Sequence, residues 1–92
     1  MPEVQRLREG RLEEELGKVE DLRDPPVPVV AWLTLDGCDR EGLLYGWAEN
    51  PRGADDGWRG LVSAVREYAP GFFAEYLGWV RAEHIRKQGG NR

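Results

Sequence analysis

Apolar residues open the chain at helical spacing and then give way to runs of β-branched and aromatic residues. Val4, Leu7, Leu12, Leu16, Val19 and Leu22 fall within about half a turn of a helical wheel at 100° per residue. Glu and Arg fill the other side, with Arg11/Glu15 and Glu14/Lys18 at four-residue spacing. This pattern predicts an amphipathic α-helix over 1–24. Gly10 and Gly17 each cost about 1 kcal/mol relative to Ala, so the leucine stripe needs a surface to pack on. A barrel in the same chain and the same helix of a second subunit both meet that need.

Asp24-Pro25-Pro26-Val27-Pro28 predicts the end of the helix and a Pro-rich linker over 25–28, because proline lacks the amide donor and drives its predecessor toward extended geometry. Beyond it, Val29–Leu35 and Leu43–Ala48 read as strands, separated by a polar loop from Asp36 to Gly42. Asn50–Gly57 is dense in turn residues. Trp58–Tyr68 is the longest strand candidate, with Gly60 offering a kink or bulge, and a helix over Leu61–Tyr68 competes on propensity. Pro70-Gly71 turns the chain, and Phe72–Val80 runs back antiparallel. Phe73, Leu77 and Trp79 then share one face, with Phe72, Tyr76 and Val80 on the other. Aromatics on both faces require that one face be either covered or used for binding. Residues 88–92 read as a flexible tail.

With 92 residues the chain makes one small domain, burying only about 60–65% of its unfolded surface. Its nine aromatics, four of them Trp, offset that thin core. Cys38 is the only cysteine, which rules out an internal disulfide and points to a reducing compartment. No stretch approaches the ~20 apolar residues of a membrane span, and the charged N-terminus has no apolar signal core. A cytoplasmic protein with no membrane partner is the expectation. Arg outnumbers Lys eleven to two, a bias that a high-GC bacterial genome produces. The net charge of −4 argues against a general nucleic-acid binder.

Asp55-Asp56-Gly57-Trp58-Arg59-Gly60 is an acidic turn leading into a Trp-bearing strand. Gly78-Trp79-Val80, Arg81-Ala82-Glu83-His84 and Ile85-Arg86 read as strand, single helical turn and short last strand. In this order the elements resemble the Src-homology-3-like small β-barrel across residues 27–87. The resemblance implies a mainly β fold: a five-stranded barrel over 29–87 carrying the N-terminal amphipathic helix. It also implies a binding module. Trp58 matches the family's ligand-gripping tryptophan, whereas Arg81 stands at its proline position and His84 at its late tyrosine. A polyproline groove is therefore not implied.

Trp58, Trp79, Tyr45, Trp47 and Tyr76 are the candidate partner anchors, since Trp and Tyr dominate interface hot spots. Core packing is the competing role for each. Asp36, Asp39, Glu41, Asp55 and Asp56 fall in two loops that would lie side by side in such a barrel, where they would attract a basic segment of a partner. Arg59, Arg66, Arg81, Arg86, Lys87 and Arg92 form the alternative, a nucleic-acid strip weakened by the interleaved Glu67, Glu75 and Glu83. No catalytic, metal or cofactor motif stands out. His84 is the sole histidine, Ser63 and Thr34 the sole hydroxyls of their types, and Cys38, beside Asp36 and Asp39, is expected to be a poor nucleophile. The expectation is a non-enzymatic protein–protein interaction module without a cofactor, with homodimerisation through the helix as a further possibility.

Overall fold

The β-branched and aromatic runs become five antiparallel strands in one sheet. The computed structural model describes residues 11–34, 37–53 and 57–88. Residues 11–16 are helical (α1). The strands are β1 (Asp21–Leu33), β2 (Cys38–Glu49), β3 (Trp58–Ala69), β4 (Phe72–Arg81) and β5 (Ile85–Lys87), with a single 3-10 turn at Ala82–His84 between the last two. Their order across the sheet is β4-β3-β2-β1-β5, every neighbouring pair antiparallel.

The mainly β, five-stranded reading holds, and so do β3, the Pro70-Gly71 turn, and the strand–turn–strand ending. Leu61–Tyr68 is strand rather than helix. Gly60 to Ala64 form a run of five buried residues, as expected of a strand covered on both faces. The sheet does not close into a full cylinder; it curls and stays open, leaving β4 and β5 as edges. The curl is deep enough that Val80 on β4 shares one buried cluster with Val29, Ala31 and Leu33 on β1, three strands away. Leu44, Val62 and Ala64 complete this inner core.

A bulge at Tyr45 helps to make that core. The pairing steps from Leu44 to Gly46 on β2 while β3 advances only from Val62 to Leu61. Leu44 and Trp47 therefore both pack inward, although strict alternation would send them to opposite faces. Gly60 is not itself the bulge. It provides space: a Cβ there would fall 2.6 Å from Leu44 Cδ1 and 2.8 Å from Ile85 Cδ1.

The N-terminal segment corrects three expectations. Among the described residues of the range 1–24, helix covers 11–16; the chain turns at Gly17 and Lys18, and β1 begins at Asp21. Val4 and Leu7 lie outside the described residues. Leu22, counted in the apolar stripe, is an exposed strand residue opposite Gly46. Residues 25–28 are no linker but part of β1. The register jumps from Leu22↔Gly46 to Val27↔Leu44, so residues 23–26 bulge opposite Tyr45. An irregular ladder leaves proline no amide hydrogen bond to break. Pairing begins even earlier, where the Glu20 amide donates to the Trp47 carbonyl at 2.8 Å. The polar loop expected over Asp36–Gly42 is also shorter, because Cys38–Gly42 pair with Leu33–Val29.

Leu12, Leu16 and Val19 pack on the outer face of the sheet against the buried Tyr45, Leu61 and Leu77. Three residues of the apolar stripe are thus occupied by the chain's own sheet. Gln88, the first residue of the expected tail, is tied down by its side-chain amide, which donates to the Val29 carbonyl at 3.1 Å. Residues 89–92 lie outside the described residues. Among the described residues, no helix is long and apolar enough to cross a membrane.

Candidate functional site

The sheet divides the candidate aromatics by role. Tyr45 is buried under α1, with its hydroxyl 3.1 Å from Ser63 Oγ. Trp47 is half-buried against the inner core. These two are structural. Trp58 is exposed at the start of β3. Tyr76 and Trp79 lie half-buried on the free edge strand β4, where they wall a cleft.

Of the five loop acids, two fall within the described residues. Asp36, Asp55 and Asp56 lie outside the described residues. Asp39 and Glu41 belong to β2, and Asp39 is held by Arg86 at 2.8 Å. The basic strip is also divided. Arg86 and Lys87 sit on β5 at one edge, whereas Arg66 sits far along β3. Arg92 lies outside the described residues. Arg59 and Arg81 come together across strands, directly opposite each other in the β3–β4 register.

Around that pair the curl gathers residues that sequence separation conceals. A depression of about 450 Å³ is walled by Arg59, Arg81, Tyr76, Trp79, Arg52 and Trp32. His84 closes one end, its ring in edge contact with Trp32 at 5.0 Å between centroids. A second depression of about 440 Å³ adjoins it, sharing Arg52, Tyr76 and Trp79 and reaching Arg11 and Lys18. Tyr76 lies back along its own strand over Gly78, where a Cβ would fall 2.6 Å from the phenol oxygen. Burial raises the Tyr76 pKa above its ordinary value of 10, with the charges of Arg52, Arg11 and Arg59 opposing that shift. The Trp79 indole N–H donates to Glu15 Oε1 at 2.9 Å, and Lys18 pairs with the same carboxylate at 3.5 Å.

A second feature lies at the far end of the β3–β4 hairpin. Among the described residues, the helix packs on the outer face at Tyr45, Leu61 and Leu77. Beyond it Val65 is 58% exposed and Phe73 48%, with Tyr68 at 59% and Phe72 at 63% around the tip. A shallow trough of about 480 Å³ runs from Val65 and Leu43 to the carboxylates of Glu41 and Glu75. The Glu67 carboxylate accepts the Gly71 amide at 2.8 Å and fixes the turn. A second bulge, at Tyr68, sets this ring between the paired Glu67↔Phe73 and Ala69↔Phe72.

None of Arg52, Trp32, Val65, Tyr68, Phe72 and Phe73 stands out as a site residue in the sequence. For the hairpin a signal existed: adjacent Phe72 and Phe73 point to opposite faces, so one of them must leave the core. Arg52 carries no such signal, being one arginine in a polar loop. Among the described residues no group of three or more His, Cys, Asp or Glu side chains is placed to hold a metal ion, and Cys38 is exposed. Comparison of the chain with protein-family models, with curated proteins and with solved structures finds no match.

Proposed function

We propose that the chain is a non-enzymatic protein–protein interaction module of Src-homology-3-like build, serving as an accessory or regulatory subunit of a bacterial complex. The strand order with a 3-10 turn before the last strand supports that build. The observation that carries the function is the exposed outer face at Val65 and Phe73, continued by Tyr68 and Phe72. Scattered exposed apolar residues are ordinary, but four large ones gathered on one hairpin mark an interaction surface. Asp39, Glu41 and Glu75 outnumber Arg40 along the trough beside them, so a partner segment with apolar side chains flanked by Lys or Arg suits it. This retains the expected basic partner segment while moving its docking place from the loops to the sheet.

The test is affinity purification of the tagged protein from its native host. A single stoichiometric partner is expected, lost with the paired substitution Val65→Ser and Phe73→Ser and retained with Trp58→Ala. Both changes are at exposed positions, and circular dichroism establishes that the sheet survives them. Retention of that partner by the Val65/Phe73 variant would end the proposal.

A further inference from the structure

We propose that the Arg59–Arg81 cleft at the opposite end of the hairpin is a second binding site, one that takes a carboxylate-bearing peptide segment. Arg59 and Arg81 are direct cross-strand partners, so their side chains leave the same face about 5 Å apart at Cβ. An anion bound between them would be attracted by both charges. Arg52 lines the same depression, bringing three guanidiniums to about 450 Å³, a volume within the range of ligand sites. Guanidinium forks match carboxylates bidentately, and Arg with Trp and Tyr is the side-chain set that dominates hot spots. Tyr76, Trp79 and Trp32 supply apolar walls against which a peptide backbone can lie.

One carboxylate already uses the rim: Glu83 approaches Arg81 at 3.4 Å, with both side chains more than half exposed. An incoming acidic side chain would displace it at little cost, because exposed pairs of this kind contribute little to stability. Glu15 faces the neighbouring depression and is engaged by Trp79 and Lys18. Compactness distinguishes a peptide from a nucleic acid. Phosphate backbones need a basic track, whereas Arg66 lies far along β3 and Arg86 is held by Asp39 on another edge. The site is independent of the apolar hairpin surface and stands or falls separately from it.

The experiment titrates the full chain with N-acetyl hexaglutamate, with hexaglutamine and with a ten-nucleotide oligo-dT, following tryptophan fluorescence and the indole N–H signals of Trp32 and Trp79. Hexaglutamate is expected to shift both indoles and hexaglutamine neither, with binding weakening as salt rises. Arg59→Gln with Arg81→Gln should weaken hexaglutamate at least tenfold, and Arg86→Gln should leave it unchanged. Arg59→Lys with Arg81→Lys keeps charge without the fork and should fall between the two. This guards against a misfolded double variant, as does the amide spectrum of each protein. Val65→Ser with Phe73→Ser should bind hexaglutamate as wild type does, which separates the two sites. Absence of a hexaglutamate shift, an equal loss with Arg86→Gln, or tighter binding of the oligonucleotide would each overturn the proposal.

Discussion

Trp79 and Glu15, 64 residues apart in sequence, meet in a 2.9 Å hydrogen bond that ties α1 to the free edge strand. The contact is part-buried and its acceptor is a carboxylate, which places it above an ordinary exposed bond in strength. It also holds the indole at the junction of two depressions. One bond therefore fixes both the cover of the outer face and a wall of the cleft.

Replacing Glu15 by Ala should lower stability by about 1–2 kcal/mol, since a hydrogen bond to a charged group is lost and the indole N–H is left half-buried. Urea denaturation followed by tryptophan fluorescence measures the loss. Trp79→Phe should lose the same bond while keeping most of the packing. The two variants combined should therefore cost less than the sum of the single losses.

Glycines should sort by what surrounds them. At Gly42 a Cβ would run into the backbone carbonyl oxygen of Ser63, and the two strands pair tightly there. Gly42→Ala should cost at least about 2 kcal/mol, in the range of overpacked cores. Gly17 has only the Glu14 carbonyl within reach, at 3.6 Å, and no left-handed backbone. Gly17→Ala should stabilise by about 0.4–1 kcal/mol through the unfolded chain. Thermal melts of the two variants should move in opposite directions.

The buried pair Tyr45–Ser63 should be strongly non-additive. Ser63→Ala or Tyr45→Phe alone leaves one buried hydroxyl without its partner and should cost about 1–3 kcal/mol. Removing both hydroxyls leaves no orphan, so the double variant should be less destabilised than the singles predict. A double-mutant cycle in urea checks this.

Tyr76 should make stability fall in alkali. Its native pKa is raised, chiefly by burial, so below its ordinary value of 10 both states hold the proton and nothing changes. Above 10 the unfolded phenol ionises first, and stability is lost until the pH passes the native pKa. Tyr76→Phe should show a shallower fall. Urea midpoints of the two proteins at about pH 8 and about pH 10.5 give the comparison.

The end of the chain was the most legible part. The strand to Val80, the turn at Ala82–His84 and the short strand from Ile85 depend on local geometry, and local spacing reveals them. The beginning was not legible. Asp24-Pro25-Pro26 argues against a strand on any local rule, yet β1 passes through it because the paired stretches on either side carry the bulge. Of the candidate site, Trp79, Tyr76, Arg59 and Arg81 could be named from residue type. Arg52 and Trp32 could not, because their membership depends on how far the sheet curls.

Residue order dictated the strand inventory, the apolar stripe and the abundance of large side chains that a small core needs, since these follow from periodicity and propensity within a few neighbours. Folding in three dimensions allocated the tryptophans and tyrosines. The bulge at Tyr45 turns Trp47 inward, and α1 covers Leu61 and Leu77 while Val65 and Phe73 stay exposed. The β3–β4 register sets Arg59 against Arg81. Exposure is a property of which surfaces meet, and those surfaces are brought together by pairings across the whole chain.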